Sequence, residues 1–148
     1  MNATVLPPGL PRPAPSVEGL GRAFWEGATR HVLCLQRCQD CRTWQGAPEL
    51  LCRHCGSYRL DDEELADTSG VLYSWQRVWY PVHPALKDAV PYVVVLVALP
   101  QAPGVRLVGN LVNDPGGPLP IGAALEAVFE DHHEADGVYT LIQWRLVS

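Results

Sequence analysis

The sequence predicts a mainly β protein in three parts: an N-terminal helix, a zinc ribbon, and a C-terminal five-stranded barrel of the OB type. Three observations carry that prediction. Two CxxC pairs, Cys38/Cys41 and Cys52/Cys55, stand ten residues apart, a spacing that lets two knuckles close on one Zn²⁺. Apolar residues ahead of them recur at helical spacing. Behind them, five runs rich in β-branched and aromatic residues alternate with turn chemistry.

In chain order, residues 1–16 hold Pro7, Pro8, Pro11, Pro13 and Pro15, which lack amide donors and favour extended backbone, so this stretch is expected as an arm. Residues 17–36 are the helical part. Leu20, Ala23, Phe24, Ala28 and Val32 fall on one face, Ser16 offers an entry, and the helix itself is expected over residues 17–28. Phe24 and Trp25 lie on or beside that face and either pack on the chain or insert into another subunit.

Residues 37–60 are the ribbon. Each CxxC is a short turn that points two sulfurs inward, and Gly56 after the second lets the backbone adopt a positive φ. No apolar run between the knuckles is long enough to bury a core, so folding there depends on metal binding. Four cysteines leave the ion no open position, which makes the zinc structural. Disulfides fit less well, because the pairs are closely spaced and the cysteine count is odd. The fifth thiol, Cys34, has Val32, Leu33 and Leu35 as neighbours, which suits a buried small hydrophobe better than a ligand or a reactive group. His54 in the second knuckle and His31 read as solvent-facing.

Residues 57–68, with Asp61, Asp62, Glu63 and Glu64 in a row, read as a solvated linker. Residues 69–148 are the barrel, with strands expected over 70–80, 91–99, 104–112, 124–131 and 137–147. Residues 100–104 and 113–118 are turns, and Asp136-Gly137 marks a tight hairpin. Tyr73, Trp75 and Trp79 share parity on the first strand, forming an aromatic row that lines the barrel or faces a partner. Residues 93–97 are apolar without alternation, so both faces of that strand are expected to be covered, the outer one by the ribbon or by a partner. The loop over residues 80–91, with His83, Leu86 and Lys87 at its tip, is long enough to be a binding element. His132 and His133 point to opposite sides of a strand and read as its solvated end.

Composition narrows the function classes. The chain has 148 residues, of which 47% are hydrophobic, enough for one core and a metal-held appendage. Eleven basic against sixteen acidic residues give a net charge of −5, which weighs against a phosphate-tracking surface. No apolar run spans a bilayer, the N-terminus lacks the order of a signal peptide, and reduced cysteines suit the cytoplasm. No nucleophile, acid–base histidine and oxyanion hole occur as a convincing set, and Pro115-Gly116-Gly117-Pro118 is a turn, not a phosphate loop. No catalytic residue is therefore expected. Five tryptophans and five tyrosines supply aromatic anchors, and Phe24, Trp25, Trp79, Tyr80, His83 and Leu86 are the candidate partner contacts.

The order of motifs is itself distinctive: Phe24-Trp25-Glu26, then Leu35 to Cys41 as LQRCQDC, then Cys52 to Ser57 as CRHCGS, then Gly70-Val71-Leu72-Tyr73-Ser74. Pro91-Tyr92, Gly104-Val105-Arg106-Leu107, and Ile121-Gly122 ahead of Leu125-Glu126-Ala127-Val128-Phe129 continue it. Over residues 17–147 the chain resembles the rubredoxin-like zinc-ribbon/OB-fold family of acyl-CoA-associated accessory proteins. The resemblance implies a non-catalytic subunit that binds a thiolase-superfamily enzyme, whose reactions are Claisen condensation or cleavage, retro-aldol cleavage or acyl transfer. It also implies a coenzyme A thioester shared with that partner, at residues the sequence does not identify. A different class remains open: OB barrels and zinc ribbons also serve as nucleic-acid-binding modules, for which Arg77, Arg106 and Arg145 would have to form a basic track.

Overall fold

The computed structural model describes residues 14–16, 18–134 and 137–147. The proline-rich arm before Ala14, Val17 at the expected helix entry, and Asp136 of the expected hairpin turn lie outside them.

A 3₁₀ turn at Gly19–Gly21 leads into helix α1 (Arg22–Thr29). The helix begins at Arg22, after two glycines whose backbone entropy disfavours an earlier start, and not at residue 17. It ends where the Gly27 carbonyl accepts from both Arg30 and Val32. The rest of the expected helical stretch is extended, forming β1 (Cys34–Cys38). Its partner is β2 (Leu60–Glu64), antiparallel from Cys34↔Glu64 to Cys38↔Leu60. The acidic run is therefore a strand and not a linker. Successive carboxylates leave on opposite sides, and arginines compensate two of the four: Arg37 and Arg42 reach Glu63 at 3.4 and 3.2 Å, and Arg30 reaches Glu64 at 2.6 Å.

The second sheet holds β3 (Ser69–Val78), β4 (Tyr92–Ala98), β5 (Arg106–Asn110), β6 (Ala124–Glu134) and β7 (Gly137–Leu146) in the order β5-β4-β3-β6-β7. A parallel bridge, Leu111↔Trp144, joins its two ends into a barrel, and the Val112 amide donates to the Trp144 carbonyl at 2.9 Å. Trp144 is fully buried at this seam. Two glycines make room for its ring: a Cβ at Gly109 would sit 2.7 Å from Trp144 Cδ1, and one at Gly70 would collide with Val97 and lie 2.9 Å from Trp144 Cζ3. Around it, Leu72, Val93, Val95, Val97, Leu99, Leu111 and Leu125 form the core, which Leu33, Leu35 and Trp44 of the ribbon half extend. Helix α1 bridges β1 and β7. Gly27 allows the close approach to β1, since a Cβ there would lie 2.9 Å from Cys34 Cβ.

Three details depart from the pattern of the sequence. A bulge between Leu72 and Ser74 breaks the aromatic row of β3. Tyr73 turns outward beneath the Arg106 guanidinium, Trp75 turns inward and donates to the Leu119 carbonyl at 3.0 Å, and Trp79 lies beyond the strand. In β4 the burial alternates despite the unbroken apolar run: Val93, Val95 and Val97 are fully buried, while Val94 and Leu96 keep part of their surface in solvent. Finally, β6 extends to Glu134. His132 is buried with Nε2 at 2.8 Å from Glu130 and its ring stacked on Tyr139, so only His133 is solvated.

Candidate metal centre and partner-facing surface

Cys38 ends β1, and the chain then turns so that the Arg42 amide donates to the Cys38 carbonyl at 3.0 Å. The second knuckle repeats the turn, with the Gly56 amide donating to the Cys52 carbonyl at 2.8 Å. Both turns close on a left-handed residue, Arg42 at φ 61° and Gly56 at φ 74°. Only the second carries the glycine that such a position favours. The loops bring Cys38, Cys41, Cys52 and Cys55 together with all four sulfurs within 4.8 Å of one another. Cys38–Cys55 and Cys41–Cys52 are 3.7 and 3.5 Å apart, and no disulfide forms among them. A tetrahedron with Zn–S bonds of about 2.3 Å has sulfur–sulfur edges of roughly 3.8 Å, so the donor set fits the ion.

The protein groups around the sulfurs favour thiolates. The Cys55 amide, aided by the His54 amide at 3.4 Å, donates to Cys52 and lowers its pKa to about 6. The Thr43 hydroxyl, 3.2 Å from Cys41, lowers that thiol as well. At Cys55 the Ser57 amide pulls the same way, but desolvation and hydrogen bonding with the other three sulfurs outweigh it and push the pKa up to about 12. Thiolates this close repel one another, and a cation held among them would favour their deprotonation. Sequence reasoning missed Gln45, which is buried and donates to Cys52 Sγ at 3.5 Å while its carbonyl accepts from the Arg53 amide at 3.3 Å. A glutamine between knuckles looks like any solvated loop residue, so the sequence carries no signal for it.

Cys34 stands apart from the cage. Burial first, then the charges of Asp62 and Glu64, raise its pKa, which removes the thiolate a nucleophile needs. His54 is exposed. His31 is half exposed yet engaged: Nε2 lies 3.0 Å from Asp131 and the ring stacks on Phe129 at 4.9 Å, tying the end of α1 to β6.

The six candidate contacts fall into two groups. Phe24 and Trp25 meet edge to face at 4.9 Å, and Phe24 packs against the core, so this pair is largely drawn into the chain. Trp79 and Tyr80 are 69% and 84% exposed. His83 Nδ1 accepts from the Ala85 amide at 3.1 Å and caps the short 3₁₀ turn Pro84–Leu86, whose Leu86 is half-buried. The base of their loop is held by Arg77, which donates to Asp114 at 2.9 and 2.5 Å and to the Gly117 carbonyl at 2.8 Å.

A four-cysteine ribbon packed on a closed five-stranded barrel defines a ribbon-plus-OB-fold protein. Residues 25–61 match the family model described as the ChsH2 rubredoxin-like zinc ribbon domain, and residues 62–130 match the ChsH2 C-terminal OB-fold domain. The chain belongs to the ChsH2 (DUF35) family. It is 35% identical to a chain of the structure titled Ltp2-ChsH2(DUF35) aldolase, with a TM-score of 0.71, covering 89% of this chain and 98% of that one. It is 41% identical over 135 residues to the probable enoyl-CoA hydratase alpha subunit of Thermomonospora curvata; the match takes in 90% of this chain but only 40% of the length of that relative. A DUF35-family protein of unknown function from Sulfolobus solfataricus, 16% identical with a TM-score of 0.59, shares the fold over 86% of this chain and 85% of its own.

Proposed function

We propose that this chain is a non-catalytic accessory subunit that docks on a thiolase-superfamily enzyme acting on acyl-CoA thioesters and helps shape that enzyme's coenzyme A channel. The observation that carries this reading is the near full-length match to the ChsH2 chain of an Ltp2-ChsH2 aldolase. Chemistry within the chain supports it. Four of the five cysteines are gathered in one cage and the fifth is buried with a raised pKa, which leaves bond-making to a companion. Cys38, Cys41, Cys52 and Cys55 hold a structural zinc whose closed sulfur shell cross-links the knuckles and offers substrate no coordination site. Among the described residues no helix is long and apolar enough to cross a membrane, and the free thiols suit a reducing compartment, so the complex is assigned to the cytoplasm.

Hydratase and aldolase, the activities for which the two relatives are named, catalyse chemically consecutive steps. Hydration of an enoyl thioester gives a 3-hydroxyacyl thioester, which is what a retro-aldol cleavage consumes. Hydratase chemistry in the longer relative can reside in the part of it that has no counterpart here. The nucleic-acid alternative loses its basic track: Arg77 is committed to Asp114, Arg145 pairs with Glu126, and Arg106 lies over Tyr73.

The test is native co-purification of the full chain, with zinc quantified on the same sample and thioester turnover assayed with and without the companion. The expected result is a thiolase-type enzyme in fixed stoichiometry, one zinc per chain, and turnover only in the complex. A chain that binds no such enzyme, or that turns over thioesters alone, overturns the reading.

A further inference from the structure

The outer face of β4 is apolar yet is left partly in solvent by its own chain. Leu96 is flanked by Ser74 and Val108, and Val94 by Gln76 and Asn110; Val108 is 67% exposed. No carboxylate stands in these rows, and Arg106 in the adjoining row is engaged over Tyr73 at 3.8 Å. A face kept solely for solubility carries charges, whereas depletion of charge marks the centre of protein interfaces. The strand end at Val78↔Tyr92 passes directly into Trp79, Tyr80 and Val82, which are 69%, 84% and 78% exposed. Face and loop are continuous along the chain.

The geometry points to this surface, the outer face of β3-β4-β5 continued by residues 79–82, as the seat of the companion acyl-CoA enzyme, with Trp79 and Tyr80 as anchors and an uncharged apolar patch of the enzyme as the complement. This rests on the accessory-subunit reading above. Size agrees with it. Three strands about 4.8 Å apart, each contributing five residues of roughly 3.3 Å, present a patch of about 14 by 17 Å. That face is about 240 Å² in projection, and the exposed side chains of Trp79, Tyr80 and Val82 enlarge it toward the roughly 800 Å² one partner gives to a standard interface. A second copy of this chain is the poorer occupant. Two chains each carrying a net charge of −5 repel, and the matched ChsH2 chain belongs to an assembly with a different protein.

The test uses the full chain, the thiolase-type enzyme recovered with it, and three variants checked for unchanged circular dichroism and zinc content. Val108→Asp places a charge in the centre of the proposed surface, and Trp79→Ala removes an anchor. Each is expected to weaken the enzyme's Kd by at least about tenfold. Val138→Asp, at an exposed position of β7 outside the proposed surface, is expected to leave it unchanged. If wild type binds and Val108→Asp and Trp79→Ala bind equally well, the surface assignment fails while the accessory reading stands. If wild type binds no such enzyme, that reading fails and takes this one with it. A wild-type homodimer that Val108→Asp dissociates would overturn the assignment in favour of self-association.

Discussion

The ribbon and the barrel solve the same problem by different physics. Across β1 and the knuckles the chain buries little beyond Leu35, Trp44, Gln45, Cys34, Cys38 and Cys52, and its exposed surface includes Leu50, Leu51 and Tyr58. Four sulfurs and a mesh of arginine–carboxylate contacts organise it. The barrel instead buries Trp144 in a core of aliphatic side chains, against Gly70 and Gly109. A short segment that cannot gather a core can still be specified by a metal, whereas a longer one is specified by shape.

The largest effect expected from breaking this contrast is on the ribbon side. Cys38→Ala or Cys55→Ala should abolish zinc binding, removing a cross-link worth on the order of 10 kcal/mol. Metal analysis should read no zinc and amide exchange should show β1–β2 unprotected, while the far-UV signal of the barrel persists. Loss of the barrel signal as well would show that the two regions fold as one unit. Next comes Trp144→Ala, expected to cost the barrel about 3–5 kcal/mol by denaturant unfolding, with zinc retained. Gly109→Ala, which forces a Cβ against the same ring, should cost about 1–3 kcal/mol by the same measurement.

Asp114→Asn is expected to cost about 2 kcal/mol, because Arg77 stays charged and buried while losing its carboxylate partner. This effect has a pH signature. The Arg77 hydrogen bond holds the Asp114 pKa below the usual carboxylate range. The stabilisation is therefore complete above the unfolded-state value near 3.9 and disappears as pH falls through the lower folded-state value. Stability curves of wild type and variant should converge in acid; a constant gap would assign the effect to packing. Smallest is Arg145→Ala, at an exposed pair with Glu126, expected to shift stability by no more than about 1 kcal/mol.

Much of this architecture was legible because its signals are local. CxxC spacing located the cage, and β-branched runs broken by Pro, Gly and Asn located the strands of the barrel. Signals that depend on a distant partner were not legible. The acidic run at residues 61–64 looks like a solvated linker until Arg30, Arg37 and Arg42 are brought beside it. His132 looks like a strand end until Glu130 and Tyr139 enclose it. The β3 bulge has no mark in the sequence at all, yet it decides that Tyr73 and Trp75 face opposite ways. Of the six candidate contacts, composition could not separate Phe24, which the core absorbs, from Trp79 and Tyr80, which it leaves outside.

By itself the sequence determined the inventory: four thiols that can meet, a helix-sized and five strand-sized apolar patterns, and a balance of charge that leaves no basic track. These follow from side-chain chemistry and short-range spacing, which survive in the unfolded chain. Only the tertiary structure decided which apolar face is buried and which stays in solvent. That choice is made where the two ends of the sheet meet at Trp144, by contacts between residues far apart in the chain.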